Sequence, residues 1–127
     1  MAYKLSWKNE GLYWHWKGHM DIHELIESNG EAIGHPEFEQ VKFIVWDATE
    51  VQSYEIDHTA VKMTSSFAIS ANQYNKNVKV ALLVAPDDIE LQTLVQTYLD
   101  LTVTAIPHAR QKMFHDMSEA QQWIETD

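Results

Sequence analysis

The run Val41-Lys42-Phe43-Ile44-Val45-Trp46-Asp47 carries an apolar or long aliphatic side chain at every position up to Trp46. It then stops on an acid followed by Ala48-Thr49-Glu50. A strand buried on both faces reads this way when its carboxyl end emerges at the margin of a parallel sheet. Loops leaving such ends are where ligands and partners usually meet an open α/β sheet. A site is therefore expected near Asp47 and in the segment 49–55, read as a loop.

Outward from this strand, Val78-Lys79-Val80-Ala81-Leu82-Leu83-Val84-Ala85 has the same composition and reads as a second buried strand. Between the two, Asp57 can cap a long helix whose inner face carries Ala60, Val61, Thr64, Phe67, Ala68, Ala71 and Tyr74. Its small residues predict a helix lying close to the sheet. Towards the amino end, Tyr3, Leu5 and Trp7 alternate with polar residues. After Asn9-Glu10-Gly11 the alternation resumes with Leu12, Trp14 and Trp16, which predicts a hairpin. The opposite face of its second strand, with His15 and Lys17, reads as wet. Gly18-His19-Met20 reads as the break before a helix over 21–33, with Asp21 as N-cap and Glu24 placed to reach back.

Towards the carboxyl end, Pro86-Asp87-Asp88 opens a helix that Leu91, Leu94, Val95, Tyr98 and Leu101 carry to Ala105, before Pro107 forbids continuation. The β-branched segment 101–106 also suits a strand. Helix is preferred because 110–114 supplies a better last strand. Ser118 with Gln121 predicts a capping box for the final helix, whose buried side is Ala120, Trp123 and Ile124. The order β, β, α, β, α, β, α, β, α implies one α/β domain over 1–127. Its sheet is mixed, mostly parallel and five-stranded, with four helices and an antiparallel margin.

The 127 residues are 45% hydrophobic and 22% charged, an ordinary globular composition for one core. Nine basic against nineteen acidic residues give a net charge of −10, a field that repels nucleic acid and anionic lipid surfaces. The acids are dispersed, as on a solvated surface; an acidic face for a basic partner is the sharper reading. The chain has no cysteine, so thiol catalysis and disulfides are excluded, and a cytoplasmic setting is expected. No run is long enough to span a membrane, and Met1-Ala2-Tyr3-Lys4 does not open a signal peptide.

Candidate chemistry is sparse. His15, His19 and His23 recur every fourth residue, but fall in a strand, a turn and a helix rather than on one helical face, so no metal site is expected. Asp57, Asp87 and Asp88 read as helix caps. No catalytic triad, nucleophile elbow or phosphate loop accompanies Asp47, so no catalytic residue and no cofactor are expected. Five tryptophans are many for this size. Core packing is the plain account; an apolar pocket is the alternative.

Three stretches resemble one family. Lys17-Gly18-His19-Met20-Asp21, Phe43-Ile44-Val45-Trp46-Asp47, and Met113-Phe114-His115-Asp116 followed by Ser118-Glu119-Ala120-Gln121-Gln122-Trp123-Ile124 are similar to segments of the SpoIIAA-like family of small bacterial proteins. That family is related in fold to the STAS domain of anti-sigma-factor antagonists and to the lipid-carrying CRAL-TRIO domain. The resemblance implies a non-catalytic regulatory or protein-interaction module, with self-association to a homodimer open. The alternative it implies is a carrier or sensor of a small apolar ligand. One departure is plain: the Asp-Ser-Ser-Gly type segment that is phosphorylated in STAS antagonists is absent. Ser53 is only loosely equivalent, and phosphate there would meet Glu50, Glu55 and Asp57. Partner-binding candidates are Asp47, Glu50, Ser53, Tyr54, Glu55 and Asp57. Apolar-ligand candidates are Trp14, Trp16, Phe67 and Tyr98, with Lys17 and Lys62 as the available cations.

Overall fold

The strand and helix order expected from the sequence is present in the computed structural model, which describes residues 2–126. Met1 and Asp127, the ends of the expected 1–127 domain, lie outside the described residues. The elements are β1 Tyr3–Lys8, β2 Gly11–Met20, α1 Ile22–Gly34, β3 Phe43–Tyr54, α2 His58–Ala71, β4 Lys79–Leu83, α3 Ile89–Ala105, β5 Arg110–Phe114 and α4 Met117–Ile124. The five strands lie in the order β1-β2-β3-β4-β5. β1 is antiparallel to β2, and every later pair is parallel.

That order explains where the helices sit. A sheet that grows in one direction through right-handed crossovers places every crossover helix on the same face. Leu25 and Ala32 of α1, together with Leu91 and Val95 of α3, accordingly pack with Leu12, Trp14, Trp16, Ile44 and Leu82 in the main core. Only α4 covers the other face, where Ala120, Trp123 and Ile124 meet Phe43, Val45, Ala81, Leu83 and Phe114. The single cover leaves the β1–β2 part of that face in water, as the wet side of the hairpin predicted.

The hairpin turn is tight. Lys8 pairs with Gly11, and Asn9 and Glu10 between them take φ of 54° and 66°, the left-handed conformation that a primed turn demands. Gly11 is required for a different reason: a Cβ there would lie 2.2 Å from the Phe43 ring.

Two strand ends differ from expectation. Gly18 does not stop β2; at φ 82° it sits beside a register shift against β3, so the strand bulges and continues. Likewise 49–55 is not a loop, since β3 runs to Tyr54. Asp47 Oδ1 accepts from the Thr49 amide at 3.0 Å and the Thr49 hydroxyl at 2.6 Å, two local bonds at the point where the register to β2 shifts. Polar residues are tolerated here because they face the uncovered side. Other corrections are local. Glu24 Oε2 accepts from the Ala2 amide at 2.8 Å rather than reaching back to its own cap. α4 is capped by Asp116, which accepts from the Glu119 amide at 2.8 Å, and Ser118 lies inside the helix. Asp87 is exposed in the turn while Asp88 alone caps α3. Tyr74 lies beyond α2 and is exposed. The segment 101–105 is helix, as preferred.

The buried Lys79 at the start of β4 meets the carboxyl end of α4. Its ammonium donates to the Trp123 carbonyl at 2.8 Å and to the Thr126 carbonyl just beyond α4, and lies 5.2 Å from the Trp123 ring centre.

Candidate functional site

The small inner face of α2 does not let the helix close onto the sheet, contrary to expectation. Thr64, Ala68 and Ala71 instead border an apolar chamber of about 140 Å³ between α2, α3 and the sheet. Its floor is the helix-covered face of the strands: Trp14 of β2, Ile44 and Trp46 of β3, and Val80 and Leu82 of β4. Phe67 of α2 and Leu94, Val95 and Tyr98 of α3 form its walls. Well-packed interiors leave few voids larger than a water molecule. An apolar space of this size is comparable to an engineered cavity of about 150 Å³ that binds benzene.

Several side chains that line the chamber are half-buried. Tyr98 is one of them. Its hydroxyl donates to Gln111 Oε1 at 2.7 Å, and burial pushes the phenol up, so it stays neutral. Asn75, at the same end, closes the wall by donating to the carbonyls of Phe38 and Val41 at 3.0 and 2.8 Å. The buried indole nitrogens of Trp14 and Trp16 have no hydrogen-bond partner among the described residues. Leaving such a donor unpaired costs about 1–3 kcal/mol, which the area these rings bury must offset.

Trp14, Phe67 and Tyr98, three of the four residues expected to meet an apolar ligand, therefore come together. Trp16 does not line the chamber; it is fully buried against Tyr3, with ring centres 5.2 Å apart. Sequence reasoning missed Trp46, which looked like plain core. It also missed the cations: Lys76 and Arg110 line the chamber, whereas Lys17 and Lys62 do not.

The partner-binding candidates fall into two groups. Asp47, Glu50, Ser53 and Glu55 gather around two histidines. His15 Nδ1 is 3.5 Å from Asp47 and its Nε2 is 3.2 Å from Glu50. His19 Nδ1 is 2.8 Å from the Ser53 hydroxyl, and its Nε2 is 3.6 Å from Glu55. Tyr54 and Asp57 are used internally. The Tyr54 hydroxyl donates to Asp88 Oδ1 at 3.2 Å, and burial, reinforced by that carboxylate, pushes the phenol up to about 12. Asp57 caps α2 by accepting from the Ala60 amide at 2.9 Å. Val51 and Ile56, the apolar residues interspersed among these candidates, also pack against the main core. Strand pairing between β3 and β4 ends at Asp47 and Leu83, so beyond that point β3 has only β2 as a strand neighbour. Among the described residues, no group of three His, Cys, Asp or Glu is placed to hold a metal ion, and no helix is long and apolar enough to cross a membrane.

No protein-family model matches the chain, and no curated protein matches it. Solved structures do. The anti-sigma factor antagonist SpoIIAA in its unphosphorylated form matches with a TM-score of 0.59 at 12% identity, over 99% of this chain and 100% of that one. A DUF3478-family protein with a SpoIIAA-like fold from Shewanella loihica PV-4 matches with a TM-score of 0.54 at 16% identity, over 97% of this chain and 92% of that one. The chain thus has the SpoIIAA-like fold that its motifs resemble.

Proposed function

We propose that this SpoIIAA-like domain is a non-catalytic regulatory module that works by binding a small apolar molecule in the chamber between α2, α3 and the sheet. One observation carries the reading: about 140 Å³ of apolar space is held open inside a domain of only 127 residues. A void forfeits dispersion contacts along its walls, and an occupant restores them. Trp14 and Trp46 both line it, so the protein carries its own reporter. Titration with octan-1-ol is expected to shift the tryptophan emission and raise the melting temperature. At 100 times Kd the stabilisation is about 2.7 kcal/mol. A bare chain in the native mass spectrum, with neither emission nor melting temperature responding to the alcohol, would overturn the reading.

A second reading rests on the β2–β3 arm. Its acids Asp47, Glu50 and Glu55 lie on the uncovered face, and a similar fold serves an anti-sigma factor antagonist. A protein partner with a basic surface would suit this rim. Used as bait, the parent chain should recover a partner that Glu50→Lys and Glu55→Lys variants lose while melting normally. Equal recovery by all three would dismiss the arm.

A further inference from the structure

The rim of the chamber has a sign. Every lining residue is buried or half-buried except two, Lys76 and Arg110, and both are cations. Among the described residues no Asp or Glu lines the chamber, in a chain whose acids outnumber its bases nineteen to nine. The two cations reach the same rim from distant points in the sequence. Lys76 follows α2 and Arg110 opens β5, while an Arg110 guanidinium nitrogen donates to the carbonyl of Asn77, the residue next to Lys76. Neither cation is in an ion pair among the described residues, although Lys42 has found Glu10 at 3.3 Å. Among the described residues, a chain this acidic leaves the rim of this chamber positive.

From this we propose that the chamber binds an amphipathic organic acid. The apolar body would lie between Trp14, Trp46, Phe67 and Tyr98, and the carboxylate would sit at the rim against Lys76 and Arg110. The inference rests on the chamber being a ligand site and adds the chemical class of the ligand. Size sets the body: a cavity of about 150 Å³ accepts benzene, so a medium aliphatic chain or a single aryl ring fits. The head stays at the surface, where a carboxylate keeps part of its hydration while meeting the guanidinium and ammonium. Burial of the charge is thereby avoided, which a chamber without ionic partners in its depth would penalise by several kcal/mol.

The test compares three ligands of eight carbons each with different heads: octanoate, octan-1-ol and octylammonium. Binding is followed by tryptophan emission on the parent chain and on Lys76→Gln, Arg110→Gln and the double variant, with melting curves as the control for folding. Octanoate is expected to bind about tenfold tighter than the alcohol, by the strength of charge-assisted hydrogen bonds, and octylammonium more weakly than either. The advantage should disappear in the double variant and shrink as salt is raised, while alcohol binding stays unchanged. Lys76→Gln alone should lose part of it, so the result stands even if removing Arg110 disturbs the turn. Equal binding of acid and alcohol in the parent would overturn the acid assignment and leave the chamber as a neutral apolar site. Failure of all three ligands would overturn both the assignment and the chamber reading.

Discussion

Ala68→Leu is the substitution that asks most directly whether the chamber is empty space. Ala68 lies on the chamber wall of α2, half-buried, with its methyl at the boundary of the void. Leucine adds about three carbons, worth about 2.4 kcal/mol if all leave water, at about 0.8 kcal/mol per buried methylene. Fixing the new rotamer costs about 0.7 kcal/mol, and the loss of helix propensity from alanine is about 0.2 kcal/mol. The net is a gain of about 1.5 kcal/mol. For a domain of this length, about 4 °C of melting temperature accompanies each kcal/mol, so an increase of about 6 °C is expected by circular dichroism. The same variant should lose its tryptophan response to octan-1-ol, since the added carbons take the ligand's place. A melting temperature that falls, as overpacking a filled core causes, or an unchanged alcohol response, would refute the idea that the wall of α2 borders unfilled space.

Other perturbations address the frame around the site. Val45→Asp puts a charge at a fully buried position of β3 and should abolish the cooperative melting transition. Lys42→Asp, at an exposed residue paired only with exposed Glu10, should shift the melting temperature by no more than a few degrees. Glu10→Gly relieves a left-handed backbone at a non-glycine residue and should stabilise by about 0.5–1 kcal/mol in urea denaturation; a loss would contradict the turn geometry. Lys79→Met removes the ammonium that ties β4 to the Trp123 and Thr126 carbonyls. It should cost about 1–3 kcal/mol, and hydrogen exchange should rise first in 117–124. Alkaline unfolding has a defined sign. Tyr54 holds its proton to about 12 in the folded chain but releases it near 10 when unfolded, so its contribution is complete below pH 10 and is lost as pH rises towards 12. Tyr54→Phe should flatten part of that decline in melting temperature, and an identical pH profile would remove Tyr54 from the account.

The elements with regular periodicity were legible as sequence. The β1–β2 alternation, the α3 stripe through Ala105 and the short β5 all stand where the residues put them. The errors cluster where a strand turns polar without ending. Asp47 and Gly18 look like stops because acids and glycines usually are, yet both sit at register shifts away from the part of the sheet that α4 covers, and water accepts what a core would reject. The chamber was half legible. Trp14, Phe67 and Tyr98 could be named from aromatic excess, but whether facing aromatics touch or leave a gap depends on how far a helix stands off its sheet. Composition does not carry that distance. The rim was beyond reach for a related reason, since Lys76 and Arg110 become neighbours only once β4 and β5 pair.

The sequential order of the strands has a bearing on how the chain is made. Each strand from β2 onward finds its partner among residues already synthesised, so an elongating chain can zip the sheet from its amino end without waiting for a distant segment. The open edge passes from β2 to β3 to β4 and comes to rest on β5. The helices that will roof the chamber are laid down between strands as the edge advances, on the one side that right-handed crossovers allow. Gln111, the last of the lining residues, is thus synthesised before α4, the helix that covers the opposite face.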